Sequence, residues 1–332
     1  KAATAKVGAP KNTVVRNNVI TAATRGIFLY GANGLIVEGN TIRVRQHAGG
    51  RLSHGIMGNS QTGVITVRGN IFDELTTVNT TSGDYGIQAI TASGGADVWM
   101  IENNYFGGFD AGTACAGQPT KICGVRMGDS CVVRHNTFEM PVLSNTPSTT
   151  LLTNAPITLL YYAGTLNYVV ENNIFISHET AANNSLARGT ITANTKNNLY
   201  YIDAAEQGNA VVMDAGTPAA TFADLPAEIQ AKSINAKIEL VENYKLAEDY
   251  VGLKIFAVPA IEGITTDIEG NVRHTPNVYV GCFDGGFSLI GKTLLKFFAN
   301  LLSNISFFGV ISMQYLLDTA NIQKIEKALA VF

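Results

Sequence analysis

Seven short phrases in this chain end on the same asparagine column, and that repeat limits the fold more than any other feature. They read V-V-R-N-N-V-I, L-I-V-E-G-N-T-I, I-T-V-R-G-N-I-F, W-M-I-E-N-N-Y-F, C-V-V-R-H-N-T-F, Y-V-V-E-N-N-I-F and A-N-T-K-N-N-L-Y. The column is Asn18, Asn40, Asn70, Asn104, Asn136, Asn173 and Asn198. Spacings of roughly 22 to 37 residues are those of supersecondary repeats. Two residues before each asparagine stand Arg16, Glu38, Arg68, Glu102, Arg134, Glu171 and Lys196, alternating in sign without a break.

The flanking columns define the local structure. Apolar residues stand three before the asparagine (Val15, Val37, Val67, Ile101, Val133, Val170, with Thr195 weakest) and two after it (Ile20, Ile42, Phe72, Phe106, Phe138, Phe175, Tyr200). Alternation of this kind marks half-buried strands, and no stretch between residues 13 and 202 keeps a helical apolar period. The residue just before each asparagine is Asn17, Gly39, Gly69, Asn103, His135, Asn172 or Asn197, all types that tolerate a left-handed backbone. A sharp turn there points the asparagine inward, where stacked amides form a ladder between parallel strands. Strands about 4.8 Å apart make an alternating charge column attractive and a uniform one repulsive. The column therefore reads as a register-setting exposed face.

A second phrase precedes most asparagine strands: Gly26-Ile27, Gly55-Ile56, Gly86-Ile87, Gly124-Val125, Pro156-Ile157 and a degenerate Gly189-Thr190. Each coil thus has at least two strands. Longer loops are expected over 43–53, 73–84, 107–122, 139–155 and 176–187. The fold class is all-β: a parallel β-helix of about seven coils over 1–285, clearest over 13–202 and irregular over 203–285, with a helical tail over 286–332.

These repeats resemble right-handed parallel β-helix proteins of the pectin-lyase-like superfamily. A second resemblance lies in Thr266-Asp267-Ile268-Glu269-Gly270-Asn271-Val272-Arg273, Pro276 and Val280-Gly281-Cys282-Phe283-Asp284. It is similar to the D-x-x-G-x-x-R…P…V-G-A-Y-E closing segment of secreted bacterial β-helix proteins, with Cys282, Phe283 and Asp284 replacing Ala, Tyr and Glu. The resemblance implies a bacterial protein that is secreted or held at the cell surface.

In such proteins substrate lies along one parallel sheet, in a groove walled by the loops. Here that is the Gly-Ile sheet. With Ile27, Ile56, Ile87, Val125 and Ile157 inward, Phe28, Met57, Gln88, Arg126 and Thr158 face out. Arg25, His54, Tyr85, Cys123, Ala155 and Arg188 stand at the strand entrances. Nearby loops add Arg51, Asp84, Asp110, Lys121 and Asp129. β-Elimination on a uronate polymer needs a cation on the sugar carboxylate and a base for the adjacent proton. Arg126 suits the first role, and His54, Tyr85 or Lys121 the second. Arg51, Gln88, Asp84 and Asp129 are the candidate substrate-binding residues. The competing expectation is a non-enzymatic surface or adhesin-like stalk carrying scattered polar side chains.

Several family phrases are missing. Asp97-Val98-Trp99-Met100-Ile101-Glu102-Asn103-Asn104 only partly matches the W-I-D-H phrase of pectate lyases, and Trp99 fits an inward column. The N-T-D, D-D, G-H-G and R-I-K phrases of polygalacturonase-like hydrolases do not occur, nor do the K-S and R-H-G phrases of the alginate and chondroitin lyase group. A hydrolase needs two carboxylates about 5–9.5 Å apart, for which Asp84 with Asp110 or Asp129 is the available choice. Asp73-Glu74 reads as the start of a loop. No cofactor is implied with certainty; loop carboxylates and carbonyls are compatible with Ca²⁺, though no D-x-D-x-D-G motif is present.

A net charge of −3 gives no basic footprint for nucleic acid, so the expected partner is a polysaccharide met by a local basic patch. Cys115 and Cys123 flank one loop, where an oxidising compartment would permit a disulfide; Cys131 sits in an inward column, and no Cys/His cluster suggests zinc. Asp224–Ile229 reads as a short capped helix, and 234–284 as irregular strands finishing the stack. After Gly285-Gly286, Leu294, Phe298, Leu301, Ile305 and Phe308 follow an amphipathic spacing, and Thr319–Phe332 forms another such run. Lys296, Asn300, Ser303, Asn304 and Ser306 interrupt what a membrane span would need, so 287–332 is expected to cap the stack, with oligomer or membrane contact as alternatives.

Overall fold

A computed structural model describes residues 10–46, 53–78, 85–92, 95–116, 121–128, 130–145, 157–162, 167–178, 184–188, 194–202, 210–213, 218–219, 222–247 and 254–284. The chain winds through three strands per coil. Coil 1 is β1 (Lys11–Arg16), β2 (Val19–Ala22) and β3 (Arg25–Tyr30); coil 2 is β4 (Asn33–Glu38), β5 (Thr41–Arg45) and β6 (Ser53–Asn59). Coil 3 is β7 (Thr62–Arg68), β8 (Ile71–Thr77) and β9 (Tyr85–Ala92). Coil 4 is β10 (Val98–Glu102), β11 (Tyr105–Phe106), a short β12 (Phe109–Ala111) and β13 (Lys121–Met127). Coil 5 is β14 (Cys131–Arg134), β15 (Thr137–Met140) and β16 (Ile157–Tyr162). Coil 6 is β17 (Tyr168–Glu171), β18 (Ile174–Ser177) and β19 (Asn184–Arg188), and coil 7 is β20 (Thr195–Lys196), β21 (Leu199–Ile202) and β22 (Ala210–Met213).

Equivalent strands pair in parallel into three sheets. Sheet A is β1-β4-β7-β10-β14-β17-β20, sheet B is β2-β5-β8-β11-β15-β18-β21, and sheet C holds β3, β6, β9, β13, β16, β19 and β22. The protein is an all-β parallel β-helix.

The corner between sheets A and B is the asparagine phrase. Asn17, Asn103, His135, Asn172 and Asn197 have φ between 52° and 60°, and Gly39 and Gly69 have φ of 63° and 62°. That left-handed residue turns the chain sharply and leaves the next side chain inside. Each ladder Nδ2 donates to the Oδ1 of the next asparagine at 2.9–3.0 Å. The same Oδ1 also accepts the backbone N–H of the preceding ladder asparagine at 2.9–3.0 Å. From Asn40 to Asn198 the asparagines are buried, with every amide partnered, which is the condition for a polar column inside an apolar core.

Beside the ladder, Phe72, Phe106, Phe138, Phe175 and Tyr200 stack face to face, with centroids 4.6–5.4 Å apart. Trp99 and Cys131 point into the same core. The charge column forms as expected: Arg16, Glu38, Arg68, Glu102, Arg134, Glu171 and Lys196 are successive register partners on sheet A. Glu38 pairs with Arg16 (3.8 Å) and Arg68 (2.7 Å), and Glu171 with Arg134 (2.7 Å) and Lys196 (3.2 Å). Glu102 makes no such pair among the described residues, and burial raises its pKa against the pull of Arg134 and Arg68.

Three expectations change. Asp73 and Glu74 do not start a loop; they lie within β8, held by Arg43 (2.7 Å) and by Arg45 of the neighbouring strand. Cys115 and Cys123 remain thiols and form no disulfide. They are separated because Cys115 donates to the Thr77 carbonyl at the end of β8, whereas Cys123 belongs to sheet C. The Asp224–Ile229 helix shrinks to one turn, α1 (Ala227–Gln230), whose N-cap is Pro226 with no side-chain cap.

After α1 the chain adds one more rung, where Asn197 and Tyr200 donate to the Lys232 and Ile234 carbonyls. It then folds back along the outside of sheet B as short antiparallel pairs, β23 (Leu240–Val241) with β24 (Lys245–Leu246) and β25 (Ala257–Pro259) with β26 (Asn277–Tyr279). The outward residues Ile174, Ile176 and Leu199 pack there with Ile238, Leu246, Phe256, Val258, Val278 and Val280 as a second core. The proposed helical tail, 286–332, lies outside the described residues, and no described helix is long and apolar enough to cross a membrane.

Candidate functional site

Sheet C carries the candidate site, in a different register from the one its Gly-Ile phrases suggest. Ile56 pairs with Ile90, not Ile87, and Ile90 with Val125; Val125 in turn pairs with Leu160, not Ile157. The cause is a kink within each strand. Ala89 and Ile90 both enter the core, as do Leu159 and Leu160. Gly55 occupies the corresponding kink, where an added Cβ would meet the Ala89 carbonyl at 2.5 Å and the Phe72 ring at 2.7 Å. The glycine is required because the kink presses the backbone against the aromatic stack.

The outer face therefore has two rows. One runs Arg25, His54, Gln88, Cys123 and Thr158, and the other Phe28, Met57, Thr91, Arg126 and Tyr161. Gln88 thus stands beside His54, with Thr158 two strands beyond it in the same row, and neither is in the row of Arg126. Thr91 Oγ1 donates to Gln88 Oε1, tying the rows together. His54, Gln88, Cys123 and Thr158 are buried at the floor, while Phe28 is exposed.

Among the described residues both rows lack carboxylates, so these rows are locally cationic on an acidic chain. The Arg25 guanidinium lies 4.9 Å from the Phe28 ring centroid, and that of Arg126 lies 5.8 Å from Tyr161. Planar cations on ring faces are held rigid while keeping donors available to an anion. His54 lies between them. It is 2 % exposed, and its Nδ1 is buried without a hydrogen-bond partner. Burial first, then Arg25 and Arg126, push its pKa down to about 4, so the imidazole is neutral at neutral pH.

The structure thus brings His54, Gln88 and Arg126 to one face. Tyr85 and Lys121 are register partners at the start of β9 and β13. Arg51, Asp84 and Asp129 lie outside the described residues. Asp110 is not on this face: it sits in β12 beside sheet B and accepts the Ser144 N–H at 3.0 Å. Among the described residues no three His, Cys, Asp or Glu side chains gather to hold a metal. Sequence reading placed Arg25 only at a strand entrance and missed Thr91 and Tyr161. The signal for Arg25 was the R-x-x-F spacing, which sets an arginine and an aromatic on one face of a kinked strand.

Compared with family models, curated proteins and solved structures, the chain matches none.

Proposed function

We propose that this is a bacterial, secreted or surface-held β-helix of pectin-lyase-like type that binds an acidic polysaccharide along sheet C and cleaves it by β-elimination. The observation that carries the reading is the outer face of sheet C, free of carboxylates among the described residues, where Arg25 and Arg126 both act on His54, whose Nδ1 is buried without a hydrogen-bond partner. Anionic sugars need cations for their carboxylates and apolar ring faces for their C–H surfaces; Phe28 and Tyr161 supply the second. The three-sheet coil and the asparagine ladder at one tight corner support the family assignment.

In this reading Arg126 neutralises the uronate carboxylate and so acidifies the proton on the adjacent carbon. Neutral His54 accepts that proton, and its basicity rises when the carboxylate arrives beside it, since an anion favours the imidazolium. The electron pair forms the C=C bond as the C–O bond breaks, and the leaving glycosidic oxygen takes a proton from solvent water. A non-enzymatic adhesin-like stalk is the second reading, supported by the missing lyase phrases. Incubation with pectate, alginate and glycosaminoglycans, with and without Ca²⁺, decides between them. Ultraviolet absorbance of an unsaturated uronate is the expected result; binding without new absorbance supports the stalk, and neither binding nor absorbance defeats both.

A further inference from the structure

The outer face of sheet A is charged along one edge and mostly apolar beside it. Val14, Ile36, Thr66, Met100, Val132 and Val169 are successive register partners on coils 1 to 6, each half-buried or exposed, and none belongs to either described core. In coil 7 the exposed Asn194 stands beside Val169, so the apolar stripe stops there. Two residues earlier on their strands, Val64 and Val98 are outward register partners at the middle of the stripe, and Val64 is 48 % exposed. Two residues later runs the charge column. Within one chain Arg68 pairs with Glu38 and Arg134 with Glu171, leaving Glu102 without an ion pair among the described residues.

The stripe and the column both fit a second copy of the same face, and both select the same register. A two-fold axis lying in the face and parallel to the strands sets each column over itself while reversing the order of the coils. Centred between β7 and β10, it places coil 1 on coil 6, coil 2 on coil 5 and coil 3 on coil 4. Every charge then meets its opposite. Arg16 faces Glu171 of the partner subunit, Glu38 faces Arg134 of the partner subunit, and Arg68 faces Glu102 of the partner subunit. A displacement by one coil sets like charges together, and a displacement by two leaves apolar residues at the stripe's ends uncovered. In the centred register the six apolar strands overlap completely, with Val64 and Val98 meeting at the axis. Such self-complementarity is what an isologous interface requires. We propose that a second copy of this chain covers the outer face of sheet A, as an antiparallel two-fold dimer centred between β7 and β10.

Six strands of five residues offer roughly 500 Å² per copy. The total of about 1,000 Å² is the lower bound for a specific interface, so the dimer should be weak and reversible, with a dissociation constant in the micromolar range. This pairing is independent of whether sheet C binds sugar, because sheet C is another side of the coil.

The test is sedimentation of the full chain over a range of micromolar concentrations, with charge-swapped variants. Arg68→Glu and Glu102→Arg each set like charges across the axis twice, and each alone should weaken the dimer about tenfold or more. An equimolar mixture of the two variants restores opposite charges at both contacts, so it should associate as tightly as the wild type. Misfolding cannot produce that recovery, since each chain keeps its own substitution. Glu38→Arg mixed with Arg134→Glu gives the same reading if Glu102→Arg does not fold. A chain that stays monomeric at every concentration overturns the proposal. Dimers that ignore the substitutions, or that mixing does not restore, put the contact on another face and also overturn it. Binding of the monomer to anionic phospholipid vesicles without self-association would assign the stripe to a membrane instead, with the same result.

Discussion

Arg273 Nη2 donates to Asn103 Oδ1 at 2.7 Å, joining residues 170 positions apart. Asn103 is a left-handed corner residue, and its Nδ2 returns a bond to the Thr266 carbonyl at 2.7 Å. Arg273 is 3 % exposed and also donates to the Gly281 and Thr266 carbonyls, with Asp284 4.0 Å away. One buried guanidinium is therefore a main fastening of the clasp over sheet B. Arg273→Met should destabilise the protein by about 2–4 kcal/mol, because it leaves Asn103 Oδ1 and the Gly281 and Thr266 carbonyls without their buried donor. Arg273→Lys should recover little, since one ammonium cannot reproduce the fork. Chemical denaturation with a probe on the clasp, such as Tyr244, measures both; losses below about 1 kcal/mol would show the clasp is held elsewhere.

The ladder should lose stability unevenly along its length. Asn104 is buried; its Oδ1 accepts from the Asn70 amide and backbone, and its Nδ2 donates to Asn136 and the Val67 carbonyl. Asn18 is exposed and, among the described residues, takes part in the ladder as a donor, to Asn40 and to the Arg16 carbonyl. Asn104→Ala should cost about 2–4 kcal/mol and Asn18→Ala under about 1 kcal/mol, since a buried orphan costs its full desolvation. Equal losses in urea melts would mean that the ladder is not the register-setting element.

The charge column contains an internal control. Glu171 joins Arg134 and Lys196 with its side chain 7 % exposed, whereas Glu102 has no ion pair among the described residues and is held above its usual pKa by burial. Glu171→Gln should cost about 1–3 kcal/mol, and Glu102→Gln should be neutral to within about 0.5 kcal/mol. A larger loss from Glu102→Gln in thermal melts would contradict this.

How much of this was legible follows from how far apart in sequence the deciding contacts lie. The asparagine and charge columns are visible because each coil repeats the same residue at the same place, and the next coil is its nearest neighbour. Sheet C misleads because Gly86-Ile87 copies Gly55-Ile56 in letters while Ala89-Ile90 copies it in space. Distance to the ladder held the answer: Ile56 precedes Asn70, and Ile90 precedes Asn104, by the same 14 residues. The clasp left a subtler trace. The side-chain-bearing corners Asn103 and Asn172 hold it, with His135 between them, while Gly39 and Gly69 mark corners of coils 2 and 3. A target so remote in sequence cannot be read from local pattern.

On sheet C, Arg126→Ala should weaken acidic-polysaccharide binding about tenfold or more, because a charge-assisted contact of about 1.5–3 kcal/mol is removed. His54→Ala should leave binding nearly intact while abolishing any unsaturated product, since the imidazole acts on the proton and not on the carboxylate. Titration calorimetry with oligouronates reads the first and ultraviolet absorbance the second. Arg126→Ala should keep the wild-type melting transition to within a few degrees, and His54→Gln, which fills the buried site, serves beside His54→Ala as the control for folding; unchanged affinity in Arg126→Ala would remove sheet C as the binding face.

Two histidines at the clasp should respond to pH in opposite directions. Burial, then Arg273, holds His135 well below its usual pKa, with Arg134 adding to the effect; its Nδ1 has no partner and its Nε2 faces the Asn172 amide. The fold keeps this ring neutral while the unfolded chain protonates it below about pH 6.5, so its stabilisation is present above that value and lost on acidification. His274 is the reverse. Its hydrogen bond to Asp284 at 2.9 Å raises its pKa, so it stabilises fully below about pH 6.5, and the effect fades as pH rises through the folded value. His135→Asn, the residue that the same corner carries in coils 4 and 6, should flatten the acid limb of a stability–pH curve, whose slope for one group is at most about 1.4 kcal/mol per pH unit. His274→Gln should flatten the limb above about pH 6.5 and leave the acid limb steep. Urea midpoints for the three proteins across that range read both limbs, and an unchanged acid limb in His135→Asn would show that the ring is already charged in the folded protein.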